Sequence, residues 1–78
     1  MARFAKGDEI EFVRTTGDSH RVVEVLQKGT VTNGPFNVEK IDHYWVDWNW
    51  TKDGIQWKNL HNDLICDYPS NKYQYRLI

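Results

Sequence analysis

Tyr44, Trp45, Trp48, Trp50 and Trp57 include all four tryptophans of the chain. Electron-rich ring faces attract alkylated ammonium groups, so such a set could surround a cationic ligand. The same side chains suit protein docking, because Trp and Tyr bury much area at little entropy cost. They also suit a core. A chain of 78 residues buries only about 60% of its unfolded surface and needs bulky side chains to fill its interior. Alternation along an extended segment divides these roles. Tyr44, Val46, Trp48 and Trp50 fall on one face, and Trp45, Asp47 and Asn49 on the other. The core therefore cannot take every tryptophan: Trp48 and Trp57 are assigned to it, and Trp45 to an exposed contact surface.

The remaining reactive types are less organised. Arg14, Arg21, Lys28, Lys40, Lys52, Lys58, Lys72 and Arg76 are dispersed among acids such as Glu9, Glu11, Glu24 and Asp47. Phosphate binding needs a local excess of cations, and the chain offers no such run, although folding could gather Lys52, Lys58 and Lys72. His20, His43 and His61 lie near Asp18, Asp42 and Asp63, but no pair has a compact metal-ligand spacing. Asp18-Ser19-His20 holds an acid, a hydroxyl and an imidazole, yet adjacent residues point apart and cannot form a relay. Cys66 is the one cysteine, so neither an internal disulfide nor a cysteine-based zinc cluster can form, and it is expected to pack as a small hydrophobe. No metal and no cofactor is implied.

The elements that must position these residues follow from composition and punctuation. The length allows one domain, 1–78. Hydrophobic residues are 40%, charged 27% and aromatic 14%, with a net charge of −1, which argues for a globular domain with no strong field toward nucleic acid or anionic lipid. No apolar run approaches bilayer length and no secretory leader is evident, so the expectation is a cytoplasmic protein without a membrane partner. Turn signals recur at Lys6-Gly7-Asp8, Thr16-Gly17-Asp18-Ser19, Lys28-Gly29, Asn33-Gly34-Pro35, Lys52-Asp53-Gly54 and Tyr68-Pro69-Ser70-Asn71. Between them lie short segments rich in β-branched and aromatic residues, the pattern of a small all-β domain.

Five extended segments are predicted. Asp8–Arg14 alternates Ile10 and Phe12 against Glu9 and Glu11. Arg21–Thr32 is partly apolar on both faces, with a short helical turn over Val22–Leu26 as the alternative and a bend or bulge at Gly29. Phe36–Trp50 follows the turn at Asn33-Gly34-Pro35. Asp53-Gly54 is a hairpin signal that returns Ile55-Gln56-Trp57 antiparallel. Asn59–Asp63 suits a single helical or 3₁₀ turn, and Tyr73–Ile78 closes the sheet.

The order of these signals resembles the SH3-like barrels of the Tudor and KOW type. Lys6-Gly7-Asp8-Glu9-Ile10-Glu11-Phe12 is similar to their opening strand. Tyr44-Trp45-Val46-Asp47-Trp48 is similar to the central strand. Asp53-Gly54-Ile55-Gln56-Trp57 with Asn62-Asp63-Leu64-Ile65 is similar to the ending, where a 3₁₀ turn precedes the last strand. The resemblance implies a five-stranded SH3-like barrel, and it departs from the pattern in the long, apolar stretch Thr15–Lys28 and in Tyr68-Pro69-Ser70-Asn71. Within it, Tudor relatives use aromatic cages, KOW and integrase-type barrels bind nucleic acid, and the type II dihydrofolate reductases build a pore from four barrels. Gly54-Ile55-Gln56-Trp57-Lys58 is slightly similar to that pore lining, with Trp57 and Lys58 replacing its last two residues.

The favoured expectation is a non-enzymatic binding module, a small regulatory or accessory protein of the kind found in bacteriophages and mobile elements. Its partner is a protein, held by Trp45, Trp50, Tyr44 and Tyr68, with Glu9, Glu11 and Asp47 setting charge complementarity. The alternative is a nucleic-acid-binding barrel using Lys52, Lys58, Lys72 and Arg76, and the third reading is an oligomeric small-barrel enzyme. The oligomeric state is left open.

Overall fold

The computed structural model describes residues 2–16, 21–68 and 72–78. The expected turns over Gly17–Ser19 and Pro69–Asn71, and the Asp18-Ser19-His20 triplet, lie outside the described residues. Five antiparallel strands form one sheet: β1 Glu9–Thr15, β2 Val22–Val38, β3 Ile41–Thr51, β4 Asp63–Cys66 and β5 Tyr73–Leu77, in the order β4-β3-β2-β1-β5. Among the described residues one short 3₁₀ turn, Lys52–Gly54, precedes the last strands. The all-β, five-stranded architecture is as the sequence predicts. The sheet is not closed, because β5 pairs with β1 but not with β4, which leaves β4 and β5 as its two edges.

Strand boundaries follow side-chain chemistry, but the turns are set by pairing. Asn33-Gly34-Pro35 does not turn the chain. β2 runs through it to Val38, and the interruption is absorbed as register shifts between Val31 and Asn33 and between Asn33 and Phe36. The reversal comes at Glu39 and Lys40, both at positive φ (52° and 68°), the backbone of a tight hairpin whose twist matches its strands. Asp53 and Gly54 do take positive φ, but Ile55-Gln56-Trp57 then leaves the sheet instead of returning as a strand. The return strand is β4, paired with His43–Val46, so of the expected Asn59–Asp63 turn residues 59–62 are an irregular approach and Asp63 already belongs to the strand. Val22–Leu26 is strand, with no helical turn.

Gly29 marks a bulge, as expected. Gly29 faces Trp48 and Lys28 faces Trp50, so Asn49 is an extra residue on β3. A Cβ at position 29 would lie 2.4 Å from the Asp47 carbonyl oxygen and 2.9 Å from Trp48 Cα; only glycine lets the strands approach this closely. The extra residue reverses the alternation. Trp48 turns into the core at 2% exposure, whereas Trp50 comes out on the opposite face at 44%.

The core is built from the inner faces: Ile10 and Phe12 of β1, Leu26 and Val31 of β2, Tyr44, Val46 and Trp48 of β3, and Ile65 of β4, with Phe4 inserted ahead of β1. Tyr73 and Tyr75 of β5 pack against it. Phe12 stacks on Tyr73 at 5.4 Å, and Trp48 stacks on Tyr75 at 6.1 Å.

Candidate functional site

The five aromatics read as a possible cation site do not converge. Tyr44 and Trp48 are buried, Trp45 lies on the outer face of β3, Trp50 lies beyond the bulge, and Trp57 sits on the 55–62 segment at 45% exposure, outside the core assigned to it. Trp57 escapes burial because its segment leaves the sheet. Its backbone is nevertheless fixed: the fully buried Gln27 accepts hydrogen bonds from the Trp57 and Lys58 N–H groups through one oxygen, Oε1.

The register sorts the outer surface into two halves. Toward β5 it is charged. The row Trp50–Lys28–Glu11–Arg76 crosses four strands as directly opposed residues. Lys28 Nζ lies 5.2 Å from the Trp50 ring centre, and Arg76 binds Glu11. The neighbouring Arg14–Glu24 pair meets at 2.9 Å, and Lys52 binds the other Glu24 oxygen. The Lys52 hydrogen bond holds the Glu24 carboxyl below its ordinary value; desolvation opposes this and the charges of Lys52 and Arg14 add to the lowering.

Toward β4 the outer face carries large apolar side chains among uncharged polar ones, with Asp47 at its margin. Trp45 is opposed by Leu64 on one side and Asn33 on the other, His43 by Cys66 and Phe36, and Ile41 by Val38. None of these carries a formal charge when histidine is neutral. Phe36, Val38, Trp45 and Leu64 are exposed at 36–54%. An open cleft of about 480 Å³ adjoins Trp45, lined by Thr32, Asn33 and Asn62. Cys66 belongs to this face and is exposed, not packed inside, because the inward positions of β4 are Asp63 and Ile65.

Between the two sheet edges, two cations stand where a ladder would. Arg3 donates from Nη1 to Asp67 Oδ1 at 2.8 Å and from Nη2 to the Tyr75 carbonyl at 2.7 Å. Lys58 Nζ lies 3.8 Å from Asp63 Oδ2 and 5.6 and 5.5 Å from the Phe12 and Tyr75 ring centres. Asp63 also accepts the Trp48 indole N–H at 2.9 Å. Burial pulls the Lys58 ammonium down, but its polar contact with Tyr75 and the charges of Tyr75 and Asp63 outweigh that and hold it above its ordinary value. Burial pushes the Tyr75 phenol up, against the Lys58 contact.

The predicted partner-binding residues therefore divide. Trp45 and Asp47 share the outer face of β3, where Asp47 accepts the Asn62 N–H at 2.9 Å. Glu9 and Trp50 belong to the charged half, and Tyr68 stands exposed beyond β4. Two placements differ from the sequence reading. Tyr44 is inside the core at 0% exposure, because its position on β3 alternates inward, and Glu11 is 7% exposed beneath Arg76. Of the proposed nucleic-acid contacts, Lys52, Lys58 and Arg76 are each bound to a separate carboxylate, and Lys72 lies ahead of β5. Among the described residues no three His, Cys, Asp or Glu side chains converge on a metal position, and no helix is long and apolar enough to cross a membrane. Phe36, Val38 and Leu64 were not legible as site residues; their convergence with Trp45 depends on the register at the Asn33–Phe36 irregularity. No protein family, no characterised protein and no solved structure matches the chain.

Proposed function

We propose that the chain is a non-enzymatic docking module that binds a partner protein through the outer face of β2–β3–β4. The observation that carries this reading is the division of one sheet surface: opposite charges are paired on one half, while Phe36, Val38, Trp45 and Leu64 line the other without a charged neighbour in register. An exposed face carrying four large apolar side chains suits a protein surface, and Trp45 is its anchor. The five antiparallel strands, with the fifth returning to the first, support the resemblance to an SH3-like barrel, here open along β4 and β5. The pairing of Lys52, Lys58 and Arg76 with carboxylates weighs against the nucleic-acid reading.

A photoreactive residue placed at 64, compared with one at 14 on the charged half, tests this in host lysate with and without nuclease. The expected result is a discrete protein adduct from position 64 only, insensitive to nuclease and lost with Trp45→Asp. Equal adducts from both positions, or adducts that vanish with nuclease, would overturn the reading. An adduct between two copies of the chain would replace it with self-association.

A further inference from the structure

The gap between β4 and β5 is filled by a short piece of the chain itself. Phe4 lies 3% exposed in the core, edge-on to Tyr44 with ring centres 5.3 Å apart, and its N–H donates to the Tyr44 hydroxyl at 3.4 Å. Arg3, its neighbour, grips Asp67 and the Tyr75 carbonyl, so one residue reaches both sheet edges. The Arg3 side chain is 51% exposed and the Asp67 side chain 16%. The grip is therefore made at the surface, above a buried aromatic slot.

Among the described residues, the gap holds more than this piece fills. A cavity of about 330 Å³ continues beside Arg3, walled by Asp67, Tyr68, Gln74 and Tyr75. The edge of β4 is also open. Backbone groups in an antiparallel pair alternate between the neighbouring strand and the outside. Because the Asp67 N–H donates to the Asp42 carbonyl, those of Ile65 turn to β3 and those of Leu64 and Cys66 to the open edge.

We propose that the β4–β5 gap is a second binding site, distinct from the Trp45 face, for an extended segment of a partner protein that carries a cationic residue next to an aromatic one. The chain's own Arg3-Phe4 is its resident occupant. The site's chemistry defines the ligand: a guanidinium for Asp67 and the Tyr75 carbonyl, an aromatic ring for the Tyr44 slot, and a backbone that continues along Leu64 and Cys66. Residues 2–5 compete from a high effective concentration. A longer partner displaces them by adding contacts in the cavity and along the β4 edge.

The probe is the acetylated and amidated peptide of residues 2–6, titrated into the isotope-labelled whole chain and into its Arg3→Ala variant, which frees Asp67 while keeping Phe4. Amide resonances of Tyr44, Asp67 and Tyr75 are expected to move. Loosening the resident occupant should tighten binding about tenfold in Arg3→Ala over the parent. Peptides carrying Arg3→Glu or Phe4→Ala should bind more weakly, and Asp67→Lys should abolish binding. Should Arg3→Ala lose its dispersed spectrum, Arg3→Lys, which keeps the charge without the two-ended grip, takes its place. Absence of shifts at these amides in the loosened variant at about millimolar probe, or binding indifferent to the peptide's Phe4→Ala change, would overturn the proposal. Trp45→Asp, which removes docking on the outer face, should leave the peptide titration unchanged, so the failure of one site is separable from that of the other.

Discussion

Trp48 joins three parts of the molecule through one side chain. Its ring packs with Phe12 and Tyr75, and its indole N–H holds Asp63, which Lys58 approaches from the other side. Asp63 is 6% exposed, so its carboxylate depends on these partners for the hydration it has lost. Trp48→Phe keeps an aromatic ring but removes the donor, leaving a charged acceptor underpaired as well as a smaller ring in the core. A loss of about 1–3 kcal/mol is expected, read as a lower urea midpoint. Trp48→Phe combined with Asp63→Leu and Lys58→Met should recover part of that loss, since neither member of the ion pair is then left short; no recovery would mean that only packing mattered. That Trp48 faces in and Trp45 faces out follows from period two alone. The setting of Trp50 does not, because it depends on one extra residue, Asn49, whose presence no local preference announces.

At the scale of the strands, the register is held where backbones come unusually close. Gly29 is the tightest such place, with the Asp47 carbonyl oxygen, Trp48 Cα and Trp48 Cε3 all within 2.9 Å of where a Cβ would be. Two of these atoms are backbone and cannot swing aside, so Gly29→Ala must push β2 and β3 apart across the bulge. A destabilisation of about 1–3 kcal/mol is expected, together with shifted amide resonances for Asp47–Trp50. Unchanged resonances would show that the bulge does not need the missing side chain. The Lys28-Gly29 signal was legible because glycine within an apolar strand has few other uses. The hairpin was not legible. Asn33-Gly34-Pro35 carries the stronger turn chemistry, yet the reversal falls on Glu39 and Lys40, where the pairing of Val38 with Ile41 closes the register. Continued strand pairing has outweighed local preference, and with it Phe36 and Val38 join the Trp45 face.

For the molecule as a whole, an open five-stranded sheet must keep water out of the gap between its edges, and side chains do this where no ladder exists. Lys58 and Tyr75 form one such closure, and both titrate above their ordinary values of 10.5 and 10.0. For Tyr75 the cause is burial, which disfavours the phenolate; for Lys58 burial acts downward and is outweighed by Tyr75 and Asp63. A group whose value is higher folded than unfolded binds its proton more tightly when folded. The stability it contributes is fully present below the unfolded value and is lost as pH rises through the folded one. The fold should therefore hold steady near neutrality and weaken above the ordinary tyrosine value of 10.0. Tyr75→Phe removes one of the titrations and the polar contact with Lys58. The variant should be less stable near neutral pH and should also lose stability less steeply on the alkaline side; the raised Tyr44 phenol, also shifted by burial, leaves it a residual slope. Urea unfolding of both proteins across the alkaline range reads this directly. Parallel curves would mean that Tyr75 ionises without opening the gap, and that the Arg3–Asp67 grip and the Phe4 plug close the sheet by themselves.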